Sequence, residues 1–269
     1  MRILVFDSGL GGLTVYDEIA RMRPGDRLVY AADDAAFPYG RLDEAALVAR
    51  VGGVVGELVA ALNPDLVVIA CNTASTLVLP TLRSRFPGLP FVGTVPAIKP
   101  AASASRSRQI SVLGTPGTVA RDYTQDLIRE HAGGCRVTLV GAPNLARLAE
   151  DYLKGLAVAD EDILREIAPC FVMQGNKRTD VVVLACTHYP LLAEHFSRLA
   201  PWPVDYIDPA PAIARRVNQL LGPPTALEEG VQRGLAPAIF TSGAAPGVAV
   251  AKALLKYGLE ARDLARASA

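Results

Sequence analysis

Two short stretches decide the fold of this chain: Asp65-Leu66-Val67-Val68-Ile69-Ala70-Cys71-Asn72-Thr73 and Asp180-Val181-Val182-Val183-Leu184-Ala185-Cys186-Thr187-His188. Each has an acidic residue, an apolar run rich in β-branched residues, an Ala-Cys pair and a polar turn. An uninterrupted apolar run bounded by turn residues is typical of a strand buried on both faces of a parallel sheet. Each cysteine therefore falls where a strand ends and a helix begins, the edge at which open α/β sheets bind ligands. The repetition indicates one reaction centre approached by a thiol from each of two related halves.

Strand-like and helix-like segments alternate along the chain, from a predicted strand at Arg2–Phe6 to a predicted helix at Ala244–Tyr257. Such alternation is typical of parallel sheets covered by helices. Together with the repeated phrase it predicts an α/β fold. We expect two doubly wound parallel-sheet lobes related by pseudo-twofold symmetry, with the active site between them.

Proline-bearing segments mark the expected lobe boundaries. They predict a first lobe made of residues 1–96 and 210–269, on the Cys71 side, and a second lobe of residues 97–209, on the Cys186 side. Residues 222–234, rich in Gly and Pro at their start, are expected to form a surface excursion. The terminal stretch 261–269 is expected to be frayed.

Composition excludes several classes of protein. The chain has 269 residues, 51% hydrophobic and 20% charged, which indicates a globular protein. Lys plus Arg and Asp plus Glu number 27 each. This balance gives no indication of a nucleic-acid or membrane partner, because such partners require an excess of basic residues. The N-terminus lacks a signal-sequence pattern, and we expect no apolar stretch near bilayer-spanning length, which predicts a cytoplasmic protein. The four cysteines lack Cys-x-x-Cys or zinc-finger spacing, which argues against a disulfide framework or a structural metal.

Cys71 and Cys186 are the first candidates for chemistry. A thiol reacts as the thiolate, and the orphan N–H groups and dipole of a helix N-terminus lower its pKa. Helix-capping residue types follow Cys71, and Pro190 after Cys186 suits a first helical turn, so both thiols are expected to feel that field. A lone cysteine would be interpreted as a small core residue. A matched pair in a repeated phrase favours a functional role.

A glycine-rich loop, Phe6–Thr14, follows the first strand and opens a helix, so its backbone N–H groups could hold an anion. It departs from the dinucleotide fingerprint because Thr14 stands at the third glycine position, and no Walker lysine follows. Asp7 and Ser8 lie on the same sheet edge as Cys71, so Asp7 could orient that thiol or relay a proton to it. A tight turn with Ser8 as helix cap is the alternative.

Other polar residues follow the strands of both halves. The hydroxyls of Thr115 and Thr118, in a loop that mirrors the first glycine-rich loop, could hold a substrate carboxylate or amine. His188 lies two residues beyond Cys186 and could shuttle protons near neutral pH. A structural histidine remains the alternative, and a metal site lacks further ligands at zinc spacing. Spacing alone leaves Glu150 as a solvated acid on an amphipathic helix.

Together these residues resemble the glutamate racemases of the aspartate/glutamate racemase family, cofactor-independent enzymes that supply D-glutamate for bacterial peptidoglycan. The Cys-Asn-Thr and Cys-Thr-His-Tyr-Pro pair is the specific part of the resemblance. The resemblance implies two α/β lobes, glutamate as substrate and no cofactor or metal, and it leaves the oligomeric state open, a homodimer included. The motifs that carry it are Phe6–Val15, Pro38-Tyr39-Gly40, Ala70–Ser75, Gly114-Thr115 with Thr118, and Ala185–Pro190.

Inverting an α-carbon requires removal of a proton from one face and its return to the other, for which two thiols are suited. The resemblance implies that Cys71 deprotonates D-glutamate with help from Asp7. It implies that Cys186 deprotonates L-glutamate with help from His188 and Glu150. The residues implied to hold the amine and carboxylates are Ser8, Pro38, Tyr39, Gly40, Asn72, Thr73, Thr115, Thr118 and Thr187.

Two segments depart from the family pattern. Asp33-Asp34 stands where Asp-Thr or Asp-Ser is common, which changes the hydroxyl count at the pocket mouth, and residues 208–211 carry Pro209 and Pro211. Neither departure touches the thiols, so we expect them to affect lobe motion rather than chemistry.

Three alternatives stay open from the sequence. The chain could act on another acidic substrate, as an aspartate racemase or a maleate isomerase-like enzyme does. It could be a non-catalytic protein that closes on an amino acid. Cys71 and Cys186 could also form a redox pair, although facing strand edges would place their Cα atoms too far apart to bridge.

Overall fold

The structure is a computed structural model that describes residues 1–224 and 234–267. Strands and helices alternate along it, as the sequence predicts. In the first part of the chain they are β1 (Arg2–Asp7), α1 (Leu13–Met22), β2 (Arg27–Ala32), α2 (Glu44–Leu62), β3 (Leu66–Ile69), α3 (Asn72–Arg85), β4 (Phe91–Gly93), α4 (Ile98–Ala104), β5 (Gln109–Gly114), α5 (Pro116–Ala120), α6 (Asp122–His131) and β6 (Arg136–Gly141). The remaining elements are α7 (Leu145–Leu153), α8 (Asp160–Ile167), β7 (Met173–Gln174), β8 (Lys177–Arg178), β9 (Val181–Ala185), α9 (Ala193–Leu199), β10 (Asp205–Ile207), α10 (Ala210–Leu221), β11 (Ala236–Phe240), α11 (Val248–Lys256), β12 (Leu259–Ala261) and α12 (Leu264–Ala267).

The chain divides into two compact units. The first comprises Met1–Thr94 and Ala210–Ala269, and the second Val95–Pro209. The first unit contains a six-stranded sheet in the order β12-β11-β2-β1-β3-β4, in which every pairing is parallel. The second contains a four-stranded sheet in the order β10-β9-β5-β6, also parallel throughout. The predicted α/β fold with parallel sheets is confirmed.

The repeated phrase forms a central strand in each sheet. All four residues of β3 and all five of β9 are buried. β3 pairs with β1 and β4, and β9 pairs with β5 and β10, so each is an interior strand of its sheet. Because all their residues are buried, neither strand has a solvent-facing side. This arrangement explains why both segments read as continuous apolar runs instead of alternating ones.

Helix α2 packs one face on the first sheet. Asp43 caps its N-terminus by accepting a hydrogen bond from the Ala46 N–H, and Asn63 ends it in the left-handed conformation with φ of 44°. Gly52 and Gly56 of this helix lie beside the guanidinium of Arg85.

The length of α2 corrects one expectation. With 19 residues, Glu44–Leu62 is long and apolar enough to cross a bilayer, whereas we expected no such stretch. Five of its apolar residues are nevertheless buried in the core of the first sheet: Leu47, Val51, Val55, Leu58 and Leu62. It is packed as a core helix, and core helices pass the same test of length and composition.

Three stretches have local departures from a regular pattern. Residues 116–131 form two helices, α5 and α6, because Arg121 between them is extended, with φ of −70° and ψ of 139°. Helix α8 ends at Ile167, where a short 3₁₀ turn that contains Pro169 begins. The stretch 261–267 is ordered as the end of β12 and α12 rather than frayed, and residues 268–269 lie outside the described part. Most of the expected surface excursion, residues 225–233, also lies outside it.

Candidate active site

Cys71 lies at the carboxyl edge of the first sheet, beside the end of β1. Cys71 follows β3 and is the N-cap residue of the 14-residue helix α3, with no capping hydrogen bond from its side chain. β1 and β3 are neighbours, with Phe6 opposite Ile69, and the Ala70 N–H donates to the Phe6 carbonyl at 2.8 Å. Asp7 is therefore next to the Ala70-Cys71 pair along this edge. Asp7 is fully buried and Cys71 is 6% exposed.

Gly12 allows Asp7 to occupy this position. A Cβ atom at Gly12 would come within 2.6 Å of the Asp7 Cβ, closer than van der Waals contact permits. The Asp7 carboxylate also accepts a hydrogen bond from the Gly9 N–H at 3.1 Å. The glycine-rich loop thus packs around the buried carboxylate of Asp7.

Asn72 carries a buried amide with unused hydrogen-bonding capacity. The residue is 2% exposed, and neither its Nδ2 nor its Oδ1 atom has a hydrogen-bond partner among the described residues. A buried polar group without a partner costs free energy, so natural structures seldom keep one without a functional reason. Its donor and acceptor at the Cys71 edge suit an amine or carboxylate ligand. Ser8 and Thr73 are buried on the same edge.

The Pro38-Tyr39-Gly40 turn follows β2, the other neighbour of β1. Tyr39 is 2% exposed and begins a short 3₁₀ turn, Tyr39–Arg41, while Gly40 is exposed. The Tyr39 hydroxyl donates to Asp33 Oδ2 at 2.6 Å. Burial and this carboxylate raise the pKa of Tyr39 well above its ordinary value, so the hydroxyl stays protonated and acts as a donor.

Cys186 lies at the corresponding edge of the second sheet, where it contacts a series of hydrogen-bonded side chains. Its Sγ atom is 3.9 Å from Nδ1 of His188, and His188 Nε2 is 2.9 Å from Glu150 Oε1. The other Glu150 oxygen, Oε2, forms an ion pair with Lys154 at 3.2 Å. Glu150 and His188 are both buried, so the solvated position expected for Glu150 from spacing alone is wrong.

The helix field expected at Cys186 is weaker than at Cys71. The residues after it form a 3₁₀ helix, Tyr189–Leu192, whose N-cap is His188. Four residues in 3₁₀ conformation carry fewer aligned peptide dipoles than the long α-helix that starts after Cys71. The acid–base environment of Cys186 therefore comes chiefly from side chains.

Two threonines lie on the neighbouring strand end. In the second sheet Gly114 of β5 is opposite Ala185 of β9, which places Thr115 next to the Cys186 edge. Thr115 caps α5 by accepting from the Thr118 N–H at 3.2 Å, and the two hydroxyl oxygens are 2.9 Å apart. Thr187 is buried beside Cys186. These hydroxyls lie on the same sheet edge as the thiol.

Three residues near these edges were missed by sequence reasoning. Arg50 and Thr241 both bind Asp33, and Lys154 pairs with Glu150. Only Lys154, four residues after Glu150 on a helix, leaves a signal in the sequence. Within residues 1–224 and 234–267, no group of three His, Cys, Asp or Glu side chains is arranged to hold a metal ion.

Comparison with known proteins identifies the family of this chain. The sequence pattern described as Asp/Glu/Hydantoin racemase matches residues 3–217. A glutamate racemase of Rhizobium meliloti is 56% identical over 257 residues, which cover 96% of this chain and 92% of the relative.

Solved structures agree. The crystal structure of Escherichia coli glutamate racemase in complex with L-glutamate and the activator UDP-MurNAc-Ala matches with a TM-score of 0.87 at 39% identity, covering 97% of each chain. Glutamate racemase from Aquifex pyrophilus matches with a TM-score of 0.72 at 26% identity, covering 98% of each chain. The extent of the family match and the identity to these relatives show that the chain belongs to the Asp/Glu/Hydantoin racemase family.

Proposed function

We propose that this protein is a cofactor-independent glutamate racemase, in which the thiols of Cys71 and Cys186 exchange the α-proton of glutamate. The observation that carries the proposal is the duplication of one feature. A buried thiol, 6% exposed in each case, ends a central parallel strand in each unit and has acid–base side chains beside it. We infer glutamate as the substrate from the relatives that are named glutamate racemase.

The proposed reaction begins with one thiol ionised and the other protonated. In the direction from D- to L-glutamate, the Cys71 thiolate removes the α-proton, and the C–H electron pair remains on the substrate as a carbanion. The Cys186 thiol then donates its proton to the opposite face, which leaves Cys186 as the thiolate. Cys71 must then lose its proton and Cys186 must gain one before the same direction can run again. The reverse direction uses the same two groups in exchanged roles.

His188 and Glu150 are proposed to control the proton on Cys186. One ring nitrogen of His188 faces the thiol and the other faces the Glu150 carboxylate, so Glu150 fixes the ring orientation and His188 is placed to pass a proton to or from Cys186. We propose that Asp7 has the matching role for Cys71, where helix α3 adds the field of its N-terminus.

Stabilisation of the carbanion is proposed to depend on hydrogen-bond donors at the α-carboxylate. Charge that moves from the α-carbon onto this carboxylate is stabilised by preorganised donors in a site that excludes water. The unpartnered amide of Asn72 is such a donor and has an acceptor for the substrate amine as well. We assign the remaining contacts with glutamate to Ser8, Pro38, Tyr39, Gly40, Thr73, Thr115, Thr118 and Thr187.

The product suggests the cellular role. We propose that the enzyme works in the cytoplasm and supplies D-glutamate for peptidoglycan, without a nucleic-acid or membrane partner. A homodimer is compatible with this role, and size-exclusion chromatography with light scattering would determine the assembly.

Proton NMR of the reduced protein with L-glutamate in heavy water, without added cofactor, tests the proposed function. We expect loss of the α-proton signal and appearance of D-glutamate in a chiral assay. A parallel reaction with L-aspartate separates the glutamate enzyme from an aspartate racemase by the ratio of the two rates. A stable α-proton on both substrates, in protein that is folded by circular dichroism, would reject racemisation and favour a binding protein.

A further inference from the structure

Asp33 is the centre of a buried network at the end of β2. Its side chain is inaccessible to solvent, and both carboxylate oxygens accept hydrogen bonds. Oδ2 accepts from the Tyr39 hydroxyl at 2.6 Å and from Arg50 Nε at 2.9 Å. Oδ1 accepts from the Thr241 hydroxyl at 2.6 Å and from Arg50 Nη2. A buried carboxylate in ionised form needs such a set of partners.

The network joins three distant parts of the first unit. Arg50 is on α2, with a side chain that is 37% exposed, and Thr241 follows β11, which pairs with β2 in the sheet. Tyr39 belongs to the same buried cluster as Cys71. Among the residues that the structure describes, the Tyr39 hydroxyl bonds only to Asp33, so this carboxylate orients the hydroxyl.

A neighbouring contact provides a reference within the same loop. Asp34 accepts from the Ser242 hydroxyl at 2.6 Å and from the Ser242 N–H at 2.9 Å. This pair also ties the loop after β11 to the end of β2, and within the described residues it has no hydrogen bond to Tyr39. Asp34, one of the two acidic residues that depart from the family pattern, thus contacts this loop.

We propose that Arg50 and Thr241 are positioning residues for the Cys71 half of the reaction. They hold the Asp33 carboxylate in one orientation, and Asp33 in turn holds Tyr39 and the Pro38-Tyr39-Gly40 turn against the Cys71 edge. The inference rests on the proposed function for its kinetic consequence, but its structural part concerns the first unit alone.

The structural part is tested by NMR of protein labelled with ¹³C at Cζ of tyrosine, a position that responds to hydrogen bonding of the hydroxyl. The Tyr39 signal is assigned with Tyr39→Phe. We expect it to shift in Arg50→Met and in Thr241→Val, to return in Thr241→Ser, and to stay in place in the control Ser242→Ala. An unmoved signal in both Arg50→Met and Thr241→Val overturns the proposal, whether or not the protein racemises glutamate.

The kinetic part uses glutamate deuterated at the α-carbon. Forward and reverse kcat/KM change together because the enantiomers have equal free energy, so the informative readout is the isotope effect in each direction. A defect on the Cys71 side makes proton transfer at Cys71 more rate-limiting. We expect kcat to fall by about tenfold or more, with a larger isotope effect from D-glutamate and a smaller one from L-glutamate. We expect Arg50→Lys to retain part of the rate that Arg50→Met loses.

The structural prediction and the kinetic prediction can be rejected independently of each other. If the wild-type protein leaves the α-proton of glutamate in place, the proposed function fails while the tyrosine NMR still judges the network. If racemisation is normal and the isotope effects of Thr241→Val equal those of wild type, the positioning role is rejected. Thr241→Val serves this purpose even if Arg50→Met does not fold, because it removes one hydroxyl and keeps the side-chain shape.

Discussion

Cys71 and Cys186 both end a buried parallel strand within the same nine-residue phrase, yet their surroundings differ. Cys71 is the N-cap of the 14-residue helix α3 and has a buried carboxylate, Asp7, on the adjacent strand end. Cys186 precedes a four-residue 3₁₀ helix and has the hydrogen-bonded pair His188–Glu150 beside it. One thiol is thus supported by backbone and a nearby acid, and the other by an imidazole oriented by an acid.

This difference shows that a repeated strand places a functional group without fixing its environment. The polar residues directly after each cysteine differ, Asn72 in one case and Thr187-His188 in the other, and so do the helices that follow them. A two-base enzyme that works in both directions can tune its bases independently in this way. The comparison therefore predicts that variants on the two edges have separable and mirror-image effects.

The largest effect is expected for Cys71→Ser and Cys186→Ser. Each removes one of the two proposed bases, and we expect racemisation to fall by about 10²–10⁴-fold or more with the fold retained. A chiral assay measures the rate, and circular dichroism measures folding. Cys135→Ser and Cys170→Ala are the controls. Burial raises the pKa of Cys170 to about 12, so this thiol stays protonated and should be dispensable. Normal racemisation in either of the first two variants would contradict the two-thiol account.

His188→Asn is expected to cost about tenfold to a hundredfold in kcat, because it removes the imidazole beside Cys186. With α-deuterated substrates we expect a larger isotope effect from L-glutamate than from D-glutamate, the reverse of the pattern expected for Thr241→Val. The control is His195→Asn, at a histidine that contacts Asp160 and Tyr152 instead. Equal changes of the isotope effect in both directions would remove the side-specific role of His188.

Asn72→Ala should separate function from stability. The variant loses an amide that has no partner in the described structure, so we expect an increased KM for glutamate together with an unfolding free energy that rises by about 1 kcal/mol. Urea unfolding and steady-state kinetics measure the two quantities. A less stable protein with unchanged KM would show that the amide is structural.

The last expected effect is on the free energy of unfolding as a function of pH. Burial acts to raise the pKa of Asp33, but the hydrogen bonds from Arg50, Thr241 and Tyr39 outweigh it and hold this pKa below the ordinary 3.8. A lowered pKa means that the carboxylate stabilises the fold above pH 3.8 and that this contribution is lost as the pH falls through the folded-state value.

Asp33→Asn removes that contribution. We expect it to lower the free energy of unfolding by about 1–3 kcal/mol near neutral pH, with the difference from wild type shrinking below pH 3.8. Denaturant unfolding from pH 7 to pH 3 measures it. Asp126→Asn, at an exposed ion pair with Arg129, is the control and should change little. A difference that stays constant over the whole range would refute the assignment.

Much of the fold could be predicted because it depends on local patterns. Continuous apolar runs define β3 and β9, and the glycine-rich loop marks the passage from β1 to α1. Patterns fail where one residue changes the backbone path. Arg121 interrupts a periodic helix, and the turn after Cys186 tightens into a 3₁₀ helix.

The candidate site was predictable only in part. The thiols, Asp7 and His188 stand at strand ends, where chemistry is expected, and Glu150 came from family resemblance alone. Arg50 and Thr241 could not be predicted, because they reach Asp33 from 17 and 208 residues away through side-chain contacts. Such contacts depend on packed tertiary structure and leave no pattern of spacing in the sequence.

The most direct test of the two-thiol claim is the early fate of deuterium when wild-type protein acts on L-glutamate in heavy water. The donating thiol carries deuterium from solvent before the substrate binds, while the abstracting thiolate takes up protium. We therefore expect deuterium at the α-carbon of newly formed D-glutamate, with the remaining L-glutamate still protiated. Deuterium appearing equally in both enantiomers, or α-protium retained in D-glutamate, would contradict the account, because a single base would then serve both faces.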